Sequence, residues 1–265
     1  MTALGNTAGH SRARAMLNKV PEVTFYFWVI KIMCTTVGET AADYLNMNLG
    51  FGLTNTTWVT GALLAVLLAA QFRLNRYVPV VYWSVVVVIS VFGTLITDNL
   101  TDRYNVPLLL STSVFAVVLA AVFALWYRSQ RTLSIHTIVT SKRESFYWLA
   151  ILFTFALGTA AGDLVAEEFQ LGYAVSALIF GGMIAAITLA HFRFGLNAVL
   201  AFWLAYILTR PLGASIGDGL SQAAHNGGLG LGTTHTSYIF LGCILALVAY
   251  LTATRRDQTE LAAAG

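Results

Sequence analysis

The sequence predicts an all-α membrane protein of eight transmembrane helices, arranged as four parallel two-helix repeats in two pseudo-symmetric halves. Three observations carry this. The 265 residues are 57% hydrophobic and only 10% charged, with a mean hydropathy of +0.72, whereas a soluble domain carries about 25% charged residues. Apolar stretches of about 20 residues, enough to cross a bilayer core of about 30 Å, recur along the chain. One pattern is also written four times: an aromatic residue, Trp, nine residues, Gly, four residues, Asp. The copies are Phe27-Trp28 to Gly38 and Asp43, Tyr82-Trp83 to Gly93 and Asp98, Tyr147-Trp148 to Gly158 and Asp163, and Phe202-Trp203 to Gly213 and Asp218. Within each half the aspartates are 55 residues apart, and the halves are offset by 120. A repeat this regular fixes architecture ahead of any local reading.

The spans fall at 22–45, 53–72, 78–99, 106–127, 145–166, 172–193, 196–219 and 235–254. The first is preceded by a tail, residues 1–20, with Arg12, Arg14 and Lys19 and no small-residue cleavage site after the first apolar run, which reads as cytoplasmic and not as a secretory signal. Two hairpins make the first half, 21–128, and a basic linker, 129–143, leads to the second, 144–256, and a short tail, 257–265. Of 15 Lys and Arg residues, 12 lie in the tails or in the loops after even-numbered spans. Positive-inside bias therefore puts both termini in the cytoplasm. Each repeat has an even number of spans, so all four insert alike, about an axis along the membrane normal. The two cysteines, Cys34 and Cys243, sit in apolar segments and offer neither a disulfide framework nor a zinc motif.

From about Pro21 to Arg256 the chain resembles a family of bacterial membrane proteins built of four tandem two-span repeats, each marked by a tryptophan. Trp28, Trp83, Trp148 and Trp203 carry the resemblance. It implies the architecture and brings no mechanism with it.

Each motif position has its own reading. The tryptophans lie near the cytoplasmic edge of their spans, as interfacial anchors or as packing against the neighbouring repeat. Gly38, Gly93, Gly158 and Gly213 read as packing residues, with Gly158/Gly162, Gly213/Gly217 and Gly38/Ala42 forming small-xxx-small pairs. The four odd spans would pack centrally through them, with the even spans outside. The aspartates carry the functional expectation. Residues four apart share a helix face, which gives the lines Glu39-Asp43-Met47, Thr94-Asp98-Asp102, Thr159-Asp163-Glu167 and Ala214-Asp218-Gln222. Seven of the 12 acidic residues stand on these lines.

Carboxylate and hydroxyl oxygens suit hard divalent cations, so Glu39, Asp43, Asp98, Asp163 and Asp218 are candidate metal ligands, with Thr94 and Thr159 lining the path. Asp43 stands roughly 27 Å along its span at 1.5 Å per residue, near the external interface. A helix C-terminus disfavours a carboxylate, because the macrodipole is negative there. Lys31 and Arg210 fall inside spans and need charge partners, Glu39 foremost. Pro211 suggests a kink beside Arg210. His225 and His235 flank an external Gly-rich loop, as ordinary loop residues or as a weak metal site.

The expected function is export of a divalent cation, manganese first, through the acidic odd spans. A passive channel and a non-transporting scaffold are the alternatives. Partners are the bilayer and the transported ion; no nucleic-acid footprint, resident cofactor or catalytic constellation is present in the sequence.

Overall fold

The computed structural model describes residues 18–258. Arg12, Arg14 and most of both predicted tails lie outside the described residues. Within them the chain is all-α, with eight long helices. These are α1 (Phe25–Asp43), α2 (Gly52–Arg73), α3 (Pro79–Asp98), α4 (Leu108–Gln130), α5 (Ser141–Asp163), α6 (Gly172–Phe194), α7 (Ala198–Ser221) and α8 (Gly232–Thr254). Seven are long and apolar enough to cross a membrane. The exception is α1, which carries Lys31, Glu39 and a run of threonines.

Helix starts follow local chemistry. Thr24, Thr140 and Asn197 cap α1, α5 and α7 by accepting backbone N–H groups through their side-chain oxygens, and Pro79 opens α3 where a missing N–H costs nothing. The Thr140 cap explains why α5 begins at Ser141, four residues ahead of the predicted span. α7 runs unbroken through Pro211.

The odd helices form a closed ring in chain order: α1 packs on α3, α3 on α5, α5 on α7, and α7 back on α1. Glycine sets the spacing. A methyl group at Gly38 would overlap Ser90, one at Gly93 would meet Phe155 and Ala156, one at Gly158 would overlap the Arg210 stem, and one at Gly213 would overlap Thr35. Ser90, Phe155, Arg210 and Thr35 all stand eight residues before their own motif aspartate. The same contact is therefore made four times and closes on itself.

Outside the ring, α2 packs on α3, α4 on α5, α6 on α7, and α8 on α1, so each even helix braces the next repeat rather than its own. Burial follows this division. In the apolar stretches of α3, α5 and α7, 56–61% of the residues are buried, against 11–28% in those of α2, α4, α6 and α8.

The aromatic-Trp pairs form a second closed circuit. Phe27 meets Trp83 at 5.7 Å between ring centroids, Tyr82 meets Trp148 at 5.5 Å, Tyr147 meets Trp203 at 6.2 Å, and Phe202 meets Trp28 at 5.7 Å. The anchor reading of the tryptophans is corrected here. Trp83, Trp148 and Trp203 are 1, 3 and 4% exposed, and Trp28 is half-buried. The aromatic residue of the neighbouring repeat packs on each ring, so Trp83, Trp148 and Trp203 fill the bundle instead of facing its surroundings, as in the packing alternative, while Trp28 stays half-buried.

Closure makes a prediction about Gly213, which sits at the α7–α1 contact. Gly213→Ala should destabilise the protein by about 1–3 kcal/mol, the usual cost of overpacking, and lower the thermal midpoint in detergent. Gly182→Ala, on the outer face of α6 with no atom within 4 Å of the added carbon, should leave that midpoint unchanged.

Candidate functional site

Within the ring, one layer lies four residues before the motif aspartates and holds Glu39, Thr94, Thr159 and Ala214. The first three bring oxygens to the axis. The fourth repeat brings only a methyl group, and the space is filled from one turn below by Arg210. Its side chain is fully buried, and Nη2 donates to Glu39 Oε2 at 2.6 Å, to Thr159 Oγ1 at 2.7 Å and to Thr94 Oγ1. Nη1 donates to the Thr35 carbonyl at 3.3 Å. One guanidinium thus ties together all four inner helices. Arg210 Nε has no hydrogen-bond partner among the described residues.

Lys31 takes no part in that ion pair, contrary to the expectation that it needs Glu39. Its Nζ is buried without a hydrogen-bond partner among the described residues and lies 4.3 Å from the Phe155 ring and 4.2 Å from the Tyr206 ring. The reason is geometric: Lys31 stands two turns before Glu39, and helical side chains tilt towards the N-terminus, away from it. Two ring faces, and no carboxylate, flank the nitrogen.

Beyond Arg210, the C-terminal ends of the inner helices carry an acidic cluster, called the vestibule below for its place at the mouth of the ring. Glu39 is within electrostatic reach of Asp43, Asp98, Asp163 and Asp218, and Asp43 is within reach of Asp98 and Asp218. Asp102 and Glu167 add to the field on Asp43. Asp218 is buried and the other three aspartates are half-buried. Among the described residues, however, no three His, Cys, Asp or Glu side chains come close enough to hold a metal ion. Glu39, Asp43, Asp98, Asp163 and Asp218 therefore do not form such a group. The aspartates stand on four separate helix ends, and Glu39 is committed to Arg210. His225 and His235 do not change this; His235 Nδ1 pairs with the Leu231 carbonyl of its own helix.

Three features of the molecule were not anticipated. Immediately after Asp43, Asp98 and Asp163 the helices widen into π turns, Tyr44–Asn48, Asn99–Arg103 and Leu164–Glu168. Such turns are rare and concentrate at functional sites. The fourth repeat has none; its Gly-rich loop folds back instead, with Leu229 N donating to Gly219 O at 2.8 Å and Leu231 N to Leu220 O at 3.0 Å.

The opposite end of the ring is locked. Lys19 Nζ donates to Glu144 Oε2 at 2.7 Å and to Phe72 O at 3.1 Å, while Gln71 Nε2 donates to Glu144 Oε1 at 3.2 Å, all buried. The only hint in sequence was Glu144, one acid following Lys142 and Arg143. Nearby, the Tyr82 and Tyr147 hydroxyls share a 2.5 Å hydrogen bond across the ring. Trp83 Nε1 donates to Tyr77 Oη, which donates to Asp257 Oδ2 at 2.5 Å. Burial pushes the Asp257 carboxyl above its ordinary range, and the Tyr77 hydrogen bond pulls it back. A cavity of about 530 Å³ lies apart from all this, between α1, α6 and α7, where Trp28, Ile184, Val199 and Phe202 give it an apolar lining.

Fold and site together define a fourfold helical repeat protein with a polar axis, acidic at one end and sealed at the other. The chain belongs to the family described as Repeat of Unknown Function (DUF347), which matches four times, at residues 26–77, 81–132, 146–196 and 201–257. Comparison with curated proteins and with solved structures gave no significant match.

Removing one partner of a buried ion pair leaves an uncompensated charge and costs about 3–5 kcal/mol. Glu39→Gln and Arg210→Met should each destabilise the protein by that order. The double variant should recover a large part of the loss, as read by denaturant unfolding of the four proteins of the cycle.

Proposed function

We propose that this chain is an inner-membrane carrier that exports a hard divalent cation, manganese foremost, through the ring of odd helices. In this reading all eight helices span the bilayer, as four parallel two-helix repeats about the membrane normal. The end with Arg73, Arg76, Arg128, Arg131, Lys142 and Arg143 faces the cytoplasm together with both termini. α1 spans although it is the least apolar, because α3, α7 and α8 enclose it.

The observation that carries the reading is the gathering of acid at one end of the inner ring. Seven carboxylates lie on the vestibule lines, and all four motif aspartates feel Glu39. Clefts lined by one sign of charge concentrate counter-ions, and oxygen donors suit hard cations. That gathering weighs against a scaffold whose aspartates would decorate separate sides. A carrier is favoured over a passive channel because the axis is blocked twice, by the Arg210 cluster and by the aromatic circuit above the Lys19–Glu144 lock.

The halves meet along two seams. At one, Thr35 Oγ1 donates to Thr209 O at 3.1 Å, and at the other Thr97 Oγ1 donates to Ala156 O at 3.0 Å. Lys19–Glu144 and Tyr82–Tyr147 also join the halves. Movement of one half against the other would break these bonds together and change which end is open.

The test is manganese efflux from cells, and uptake into inverted vesicles, bearing the wild-type chain, Asp43→Asn or Glu39→Gln. Loss of a carboxylate on the path should lower the rate by about tenfold or more, in line with the cost of disturbing metal ligation. Unchanged manganese tolerance and uptake in both variants would sink the proposal.

A further inference from the structure

We infer that Nη2 of Arg210 occupies the cation-binding position of the transport cycle, as a competitor tethered to the chain, and that the cation binds when this nitrogen leaves. The inference rests on the carrier reading above and gives its path a specific binding position.

The surroundings of this nitrogen are those of a bound cation. Three oxygens from three helices converge on it: Glu39 Oε2, Thr94 Oγ1 and Thr159 Oγ1. The two hydroxyls have their hydrogens engaged elsewhere, since Thr94 Oγ1 donates to Ser90 O at 3.2 Å and Thr159 Oγ1 donates to Phe155 O at 3.1 Å. Both therefore turn lone pairs to the axis. One carboxylate and two oriented hydroxyls make a cage for positive charge and repel an anion.

The repeat explains how the cage arose. Glu39, Thr94 and Thr159 are the same repeat position, and Ala214 is the fourth copy. A fourth oxygen would complete a symmetric cation site. Instead the fourth repeat gives a methyl group and, one turn earlier, a side chain that delivers a positive nitrogen to the centre. The Arg210 stem runs past Gly158, the α5 glycine that leaves room for it.

Size narrows the class of cation. The nitrogen lies 2.6 and 2.7 Å from Glu39 Oε2 and Thr159 Oγ1. Calcium–oxygen distances are about 2.3–2.6 Å and magnesium–oxygen distances about 2.0–2.1 Å. A cation of calcium size needs the cage to tighten only slightly, manganese, which is smaller, needs more, and magnesium needs the largest collapse. Three protein oxygens leave the remaining ligand positions to water on the vestibule side. The displaced guanidinium has a destination: Asp163, on the neighbouring α5 one turn beyond Thr159, is within electrostatic reach of Arg210. Entry of the cation and transfer of Arg210 from Glu39 to Asp163 would be one exchange.

The experiment measures Mn²⁺ binding to the full chain in lipid nanodiscs, from the electron-paramagnetic-resonance signal of free Mn²⁺. Arg210→Met should bind one Mn²⁺ per chain at least about tenfold more tightly than wild type, the scale of a gained ligand set. The added change Glu39→Gln should abolish the gain, and Ca²⁺ should displace the ion at lower concentration than Mg²⁺. No gain in Arg210→Met, or a gain that survives Glu39→Gln, would overturn the inference.

If Arg210→Met does not fold, Arg210→Ala purified with methylguanidinium takes its place. The small cation should raise the thermal midpoint saturably, and Mn²⁺ should compete with it. Stabilisation without competition would equally overturn the inference. The two proposals fail separately. A Glu39-dependent site in Arg210→Met with no manganese flux in wild type removes the carrier reading alone, whereas flux sensitive to Glu39 and Asp43 with no gain in Arg210→Met removes only the tethered competitor.

Discussion

Close approach of four helices through one glycine each is the constraint on which the rest of the molecule depends. Every motif glycine faces the residue eight places before the next motif aspartate, and the fourth such contact returns to the first helix. A closed ring with this spacing forces equivalent positions to the same height. It is why the aromatic-Trp pairs meet in a circuit, why Glu39, Thr94 and Thr159 arrive in one layer, and why the aspartates share one vestibule. Wider spacing would remove the reach of Arg210, and an open ring would leave Glu39 and Arg210, on the first and last inner helices, far apart.

The symmetry matters most where it is broken. Three repeats place an oxygen at the axis and the fourth places Ala214, which makes room for Arg210. Three repeats end their inner helix in a π turn, and the fourth ends in a Gly-rich loop that folds back on α7. Both departures fall in the same repeat. The scaffold offers four equivalent places, and the first and last repeats, with Glu39 and Arg210, fill the axis with an ion pair.

The eight helices were legible in the sequence because apolar length and basic loops are local signals, and the inner ring was legible because glycine and aspartate recur at fixed offsets. The tryptophans misled because the end of an apolar helix looks the same whether its indole faces a headgroup or a neighbouring tyrosine; only the tertiary partner distinguishes them. The Arg210 cluster was half visible, since a buried arginine demands a carboxylate. That it reaches two threonines as well follows from superposing the repeats and noticing the gap at Ala214. The π turns have no residue signature, and the Lys19–Glu144 pair joins residues 125 apart, beyond the reach of any local pattern.

The ring also imposes an order on the making of the protein. α1 emerges first, yet it is the helix least suited to standing alone in lipid, with Lys31 and Glu39 inside it. The partner of Glu39 is 171 residues later in the chain, and the rings that flank Lys31 belong to α5 and α7. α8, which covers the outer side of α1, is last of all. The first inner helix therefore gains the partners of its buried charges only when the second half is in place. The last tie of the ring is thus one salt bridge between the first inner helix and the last.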